Sequence, residues 1–321
     1  MIAALHPDAG EGVGLGHVSR CCALALALRR QGFRPVVLNG AGEALDTVLR
    51  RQGLDSVACA DADAGTVAAT ARRLGAGLLV ADSYRLDRVA LAAAVGGLKL
   101  AWFDDTATEP PLADVLINGS PAAAALPYAL PPQVLGLLGP AYQVVRPGLT
   151  FHPRAGPVRR LLITYGGADP WRVGPVLAGL CAGAATVDFV VGPFAAVPAN
   201  LPADFALHHA PPDMPALLGP ADLAVSAGGQ TLYELAACGV PTLAIGLGPD
   251  QRPTLETLAA AGALLFAGWA GDPGLLVSLQ ALLDRALAAE DLRRGLSERA
   301  HAQFDGRGAD RIAFALRRLE A

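Results

Sequence analysis

Short β-type runs alternate with helical stretches twice along this 321-residue chain, and this alternation constrains the fold more than any other feature. In the first half, MIAAL, RPVVLN and GLLVAD are each followed by a helical stretch, and RRLLITYGG, TVDFVVG and ADLAVSAGG repeat the pattern in the second half. Strands that alternate with helices build parallel sheets with helices on their faces. The sequence therefore predicts an α/β protein with two doubly wound, Rossmann-like domains facing across a cleft.

A stretch rich in proline, alanine and glycine interrupts the alternation between residues 120 and 153. We place the domain boundary there, with an N-terminal domain at 1–148 and a C-terminal domain at 149–321 whose last helix packs back on the first domain. Ligands of such sheets lie beyond the carboxyl ends of the strands, so the cleft is the expected site.

Composition excludes several classes of function. The net charge is −4 and no run of basic residues occurs, which argues against nucleic-acid binding. The five cysteines include no C-x-x-C pair, and together with the absence of a signal peptide they predict free thiols in a cytoplasmic protein. The longest charge-free stretch, residues 115–145, contains five prolines, so no transmembrane segment is expected.

The stretch GVGLGHVSR, residues 12–20, follows the first predicted strand and opens a helix. Gly14 and Gly16 allow a ligand to approach the backbone closely. The second strand ends in Asn39 rather than an acidic residue, which disfavours a dinucleotide site. The positive end of the helix dipole disfavours the imidazolium form of His17, so a neutral ring could act as a general base. The alternative is that His17 is an ordinary exposed residue at a helix start.

A second glycine-containing turn, SAGGQT, joins a strand to a helix and predicts an anion site made by free backbone N–H groups. One turn into this helix, the carboxylate of Glu234 could accept hydrogen bonds from a ribose. The alternative is that this is an ordinary tight strand–helix turn and that Glu234 is a surface charge. The candidate nucleotide-binding residues here are Ser226, Gly228, Gly229, Gln230, Thr231 and Glu234.

Other candidate residues follow strand ends. Gly166 and Gly167 end the first strand of the second domain and could hold the other side of a diphosphate. Asp82 and Tyr84 follow GLLVA at the edge of the sheet that carries His17, where Asp82 could orient the imidazole or bind sugar. No spacing of His, Cys, Asp or Glu is typical of a metal site, so neither a metal nor another cofactor is predicted.

The blocks GLGHVSRCCALALAL, VADSYRLD, LAWFDD, LLGPAYQVVRP, LLITYGGADP, MPALLGPADLAVSAGGQTLYELAACGVPTLAI and DGRGADRI resemble the sugar-nucleotide hydrolases of pseudaminic acid synthesis. The resemblance covers nearly the whole chain and implies a GT-B fold. Members of that family release UDP from UDP-2,4-diacetamido-2,4,6-trideoxy-β-L-altropyranose, so a UDP-sugar is the implied substrate and UDP the leaving group. The glycine–histidine and Gly-Gly-x-Thr blocks also occur in GT-B glycosyltransferases.

The resemblance implies roles for the candidate residues. His17 would act on the attacking water, Tyr84 and Asp82 would line the sugar pocket, and the Ser226–Glu234 segment would hold the nucleotide. Main-chain groups near Met214 would read the base, and Asp250 and Gln251 would contact the sugar. Two positions depart from the family pattern: His6 stands where relatives usually carry Arg, and Asp250 where they often carry Asn.

Two alternatives to hydrolysis remain open from the sequence. The first is a glycosyltransferase that replaces water with an acceptor hydroxyl, and the second is a sugar-nucleotide-binding protein without activity.

Overall fold

The computed structural model describes residues 1–9, 16–40, 42–59, 63–167, 169, 171–183 and 185–319. The chain divides into two compact units, one made of 1–145 with 307–321 and the other of 146–306. The division falls three residues before the boundary that the sequence suggested. After the second unit, the chain re-enters the first unit at residue 307, so the C-terminal helix belongs to the first unit.

The first unit contains a parallel sheet of seven strands, counted over the described residues, in the order β3-β2-β1-β4-β5-β6-β7. Its strands are β1 (Ile2–Pro7), β2 (Arg34–Asn39), β3 (Asp55–Ala58), β4 (Ala76–Asp82), β5 (Lys99–Phe103), β6 (Val115–Asn118) and β7 (Leu135–Leu138). Its first four helices are α1 (Gly16–Arg30), α2 (Glu43–Arg51), α3 (Ala64–Arg73) and α4 (Arg88–Ala94). One apolar core contains α1 and the other contains α3, so helices cover both faces of the sheet.

The second unit repeats the topology with six parallel strands in its described part, in the order β10-β9-β8-β11-β12-β13. Its strands are β8 (Arg160–Thr164), β9 (Thr186–Val191), β10 (Ala206–His209), β11 (Leu223–Ala227), β12 (Thr242–Gly246) and β13 (Leu265–Trp269). Its helices are α5 (Val173–Cys181), α6 (Pro215–Leu218), α7 (Gln230–Cys238), α8 (Arg252–Ala260), α9 (Leu275–Ala288) and α10 (Glu290–Gln303). Helix α11 (Gly308–Arg318) follows and packs on α1 in the first unit, where Arg30 and Asp310 form an ion pair at 2.6 Å.

The strand order reverses direction once in each sheet, and these two points position the candidate residues. In the first sheet the reversal lies between β1 and β4, and in the second between β8 and β11. Open α/β sheets bind ligands outside the carboxyl ends of the strands at such a switch point. His17 follows β1 and Asp82 ends β4, while Gly166 follows β8 and Gly228 follows β11.

Strands β7 and β13 were not predicted. In the described part of the chain they lie at the open edges of their sheets, each paired on one side only. At the start of helix α5, the Asp169 carboxylate accepts the N–H groups of Val173 and Gly174 at 2.8 and 2.9 Å.

The five cysteines are free and buried. Over the described residues, we find no helix with the length and apolar character that crossing a bilayer requires.

Arg293 is a buried cation that joins three parts of the second unit. Its guanidinium donates to the carbonyls of Ala286 at 2.6 Å and Leu287 at 3.0 Å, at the end of α9, and to the Gly156 carbonyl. Only 3% of Arg293 is exposed, so these carbonyls are satisfied by a charged donor away from water. Hydrogen bonds from a charged donor contribute more to stability than neutral ones.

We expect Arg293→Met to lower the free energy of unfolding by about 3 kcal/mol, because it leaves buried carbonyls without their charged donor. Chemical denaturation measures the loss. Arg294→Met is the matched control, since Arg294 is 52% exposed and pairs with the exposed Asp291. Equal stability of the two variants would contradict this role for Arg293.

Candidate functional site

The imidazole of His17 lies against the carboxylate of Asp82 at the switch point of the first sheet. Nδ1 of His17 is 2.6 Å from Oδ1 of Asp82, and the His17 side chain is 12% exposed. Because an ionised carboxylate only accepts hydrogen bonds, Nδ1 carries a hydrogen, and in the neutral ring this tautomer leaves the lone pair on Nε2. The geometry thus provides an oriented imidazole that can accept a proton at Nε2.

Asp82 is ionised even though it is fully buried. Burial opposes its charge, but the Arg20 guanidinium and the His17 ring outweigh that effect, so the pKa of Asp82 is lowered. Arg20 donates from Nε to Oδ2 at 2.8 Å and from Nη2 to Oδ1 at 2.5 Å. This two-point contact matches the geometry of a carboxylate.

Tyr84 lies beside His17 and is the most exposed member of this group. Its ring meets the imidazole edge-on with the centroids 4.8 Å apart, and 64% of Tyr84 is exposed. Its hydroxyl donates to Asp105 at 2.6 Å. Desolvation and the Asp105 charge raise the pKa of Tyr84, so the phenol stays protonated and can serve as a donor.

Asp8, which directly follows β1, holds the turn that carries Tyr84 by hydrogen bonds. Asp8 accepts the hydroxyl of Ser83 at 2.5 Å and the backbone N–H of Tyr84 at 2.7 Å. His6 is 3% exposed, and burial lowers its pKa against the opposing charges of Asp8 and Asp82. His6 is therefore neutral and supplies no positive contact at the surface.

The glycines before α1 are only partly described. Gly16 is the first residue of the helix and is exposed, with open space where a Cβ would stand. Gly14 lies outside the described residues, so its predicted role stays a prediction.

The N-terminus of α7 forms the candidate anion site in the second unit. Gly229 precedes the helix as its N-cap residue and has no side chain to cap it. Gln230 and Thr231, both partly exposed, begin the helix. Ser226 is 1% exposed and donates to the Ala227 carbonyl at 3.1 Å, so its hydroxyl is turned into the strand end.

Gly228 and Gln251 are packed against each other. A Cβ on Gly228 would lie 2.9 Å from Oε1 of Gln251 and 2.8 Å from Leu255 Cδ1. The same Oε1 accepts the N–H of Leu247 at 2.9 Å. Gln251 therefore stabilises the loop after β12 through this hydrogen bond, and its amide nitrogen remains as a donor for a ligand. Asp250, the preceding residue, is exposed.

Glu234, the proposed ribose ligand, is fully buried in this structure. Arg146 Nε lies 3.1 Å from Glu234 Oε1, and the Arg146 side chain is 32% exposed. Burial raises the pKa of Glu234, and Arg146 opposes that shift. In this conformation Arg146 occupies one side of the Glu234 carboxylate, the group that was predicted from the sequence to bind a ribose.

The remaining candidates lie at other loops of the second unit. Gly166 has φ +95°, a conformation that favours glycine, and the loop after β9 approaches it so closely that Gly192 has no room for a side chain. Met214 is buried, and its carbonyl accepts the N–H groups of Leu217 and Leu218, so only its N–H could contact a base.

Sequence reasoning missed two arginines. Arg20 stands three residues after His17, a spacing that places both side chains on one helix face, and this was the available signal. Arg146 gave no local signal, because its contact with Glu234 spans 88 positions. Within the described ranges, no three His, Cys, Asp or Glu side chains are grouped as a metal site would require.

Comparison with known proteins identifies the fold. The chain matches no protein-family model. An alignment of 201 positions that covers 57% of this chain shows 29% identity to the spore coat polysaccharide biosynthesis protein SpsG of Bacillus subtilis (strain 168). The match covers 56% of SpsG, so it spans about half the length of that relative.

Two solved structures are similar over the whole chain. Spinosyn forosaminyltransferase SpnP superimposes with a TM-score of 0.69 at 16% identity, covering 99% of each chain. Spinosyn rhamnosyltransferase SpnG, complexed with thymidine diphosphate, superimposes with a TM-score of 0.63 at 17% identity, covering 100% of each chain. With its two parallel-sheet units, the chain has the GT-B fold that the sequence predicted.

The buried carboxyl of Glu234 predicts a pH dependence of stability. Because its pKa is raised above the ordinary value of 4.5, folding favours the protonated form, and this contribution is lost as the pH rises above 4.5. We therefore expect the stability of the wild type, relative to Glu234→Gln, to decline between pH 4.5 and 7. Denaturation at each pH measures this difference.

Glu256→Gln is the matched control, because Glu256 is 55% exposed and pairs with the exposed Arg252. The Glu256 difference should stay flat over the same range. A wild type that gains stability relative to Glu234→Gln on raising the pH would overturn the assignment.

Proposed function

We propose that this chain is a sugar-nucleotide enzyme that transfers a glycosyl group from a nucleoside diphosphate sugar to an acceptor hydroxyl. The observation that carries the proposal is the His17–Asp82 pair at 2.6 Å, which leaves Nε2 of His17 as a base. The names of the similar structures support transfer, since SpnP and SpnG are a forosaminyltransferase and a rhamnosyltransferase.

The second unit has the chemistry to bind the nucleotide. The N-terminus of α7, which begins after Gly229, would offer backbone N–H groups and the positive end of the helix dipole to a diphosphate. The same donors would stabilise the charge that develops on the departing diphosphate, without a proton donor for it. SpnG, which shares the fold, was solved with thymidine diphosphate.

The reaction needs one base. Nε2 of His17 takes the proton of the attacking hydroxyl, whose oxygen forms a bond to the anomeric carbon. The bond from that carbon to the phosphate oxygen breaks, and its electron pair leaves with the nucleoside diphosphate. The ionised Asp82 stabilises the imidazolium that results, as carboxylate partners of catalytic histidines do.

Hydrolysis is the second candidate, with water as the acceptor. The observation that favours it is that residues of three sequence blocks resembling the pseudaminic acid hydrolases contact one another in the first unit. Asp82 and Tyr84 of VADSYRLD and Asp105 of LAWFDD are joined to His17 by the contacts described above. The substrate would then be a UDP-linked diacetamido-trideoxy sugar.

We expect His17→Ala to lower kcat by about 100-fold or more, the usual contribution of a positioned base. Its affinity for UDP should stay within about twofold of the wild type, because the proposed nucleotide site is in the other unit. Steady-state kinetics and calorimetric titration measure the two quantities. His152→Ala, at an exposed position, is the control. Full turnover in His17→Ala would refute the assigned base.

Incubation without an acceptor separates the two candidates. A panel of UDP- and thymidine diphosphate-linked sugars, including UDP-2,4-diacetamido-2,4,6-trideoxy-β-L-altropyranose, is scored for release of the nucleotide. Transfer predicts release only after an alcohol or sugar acceptor is added, whereas hydrolysis predicts steady release in water. Nucleotide binding with no release from any donor, with or without acceptor, would contradict both candidates.

A further inference from the structure

The contacts around His17 form a closed chain of five side chains, here called the five-residue network: His17, Asp82, Arg20, Asp105 and Tyr84. His17 contacts Asp82, Arg20 contacts both aspartates, Asp105 accepts the Tyr84 hydroxyl, and the Tyr84 ring returns to the His17 ring. His17 and the exposed phenol of Tyr84 are neighbours in this closed chain, so a displacement of any other member changes their relative position.

Arg20 is the centre of the five-residue network. Besides its two bonds to Asp82, it donates to Asp105 from Nη1 at 3.1 Å and from Nη2 at 3.0 Å. Its Cζ lies 4.5 Å from the centroid of the Phe103 ring, which covers one face of the guanidinium. A lysine could not reproduce this planar, two-sided contact, because its ammonium is a single point of donation.

The charges of the five-residue network also favour the acceptance of a proton by His17, the proposed base. Asp82 and Asp105 are negative and Arg20 is positive, so the network carries −1 with a neutral His17 and 0 after His17 accepts a proton. The neighbouring groups agree, because Asp8 on the β1 side is acidic and burial keeps the Cys21 thiol protonated by raising its pKa. Neutral His6 adds no positive charge. Protonation of His17 therefore leaves no uncompensated buried cation.

We propose that Arg20 and Asp105 are positioning residues that act through Asp82 and Tyr84 to hold the His17 base and the substrate-facing phenol in one geometry. This inference rests on the proposed function, in which His17 is the base. Neither residue needs to touch the substrate for this role, since Arg20 is linked to His17 through the Asp82 carboxylate and Asp105 is linked to it through the Tyr84 side chain.

A double-mutant cycle tests the proposal. Arg20→Lys should lower kcat about 30-fold and leave the affinity for UDP unchanged. In a His17→Ala background, the same substitution should change the residual rate by less than about twofold, because no base remains to be positioned. Asp105→Asn is the second variant and should show the same dependence on His17 if Arg20→Lys fails to fold. An equal loss in both backgrounds would overturn the proposal.

Arg88→Lys is the matched structural control. Arg88 is also buried, pairs with Asp104 at 3.0 Å and lies over the Trp102 ring at 4.9 Å, but it belongs to no contact with His17. It should lose a comparable amount of thermal stability while kcat stays within about twofold. A kcat loss in Arg88→Lys equal to that in Arg20→Lys would show that unfolding, not positioning, causes the effect.

The proposed function and this inference fail in different ways. A wild type that neither binds UDP nor turns over any donor refutes the proposed function. In that case ¹⁵N NMR of the histidine rings still tests the inference, because it needs no turnover. The His17 signals are assigned by their loss in His17→Ala. Arg20→Lys should abolish the protected Nδ1–H signal of His17, and its persistence would contradict the positioning role.

Discussion

One buried carboxylate, that of Asp82, organises the first unit of this protein. It belongs to the last residue of β4 and is fully removed from water, and burial by itself raises the pKa of Asp82. Arg20 and His17 hold it ionised by direct hydrogen bonds, at 2.5 and 2.6 Å to the same oxygen. Without that charge Nδ1 of His17 would have no obligatory acceptor, and neither the tautomer nor the orientation of the base would be fixed.

The topology explains why these groups meet. In a sheet with strand order 3-2-1-4-5-6, the first and fourth strands are neighbours although about 80 residues separate their ends, so a loop after β1 faces the end of β4. The second unit uses the same order to bring the Gly166 loop beside the Gly228 turn. The two units thus place different groups at the same point of the topology, the His17–Asp82 pair in one and the N-terminus of α7 in the other.

The strand–helix alternation was sufficient to predict the fold, because buried parallel strands are short apolar runs with clear boundaries. It failed at β7 and β13, which are edge strands whose sequences LGLL and LFAGW include glycine and carry a weak signal. Strand-end positions also pointed to Asp82 and Tyr84 as neighbours of His17. Ion-pair partners were not predictable, since the contact of Glu234 with Arg146 depends on tertiary packing that no local pattern encodes.

Neutron diffraction from a deuterium-exchanged crystal tests the central claim most directly, because it locates the hydrogens on His17 and Asp82. The account predicts deuterium on Nδ1 of His17, none on Nε2 at neutral pH, and none on either oxygen of Asp82. Deuterium on an Asp82 oxygen, or on Nε2 with Nδ1 bare, would contradict it.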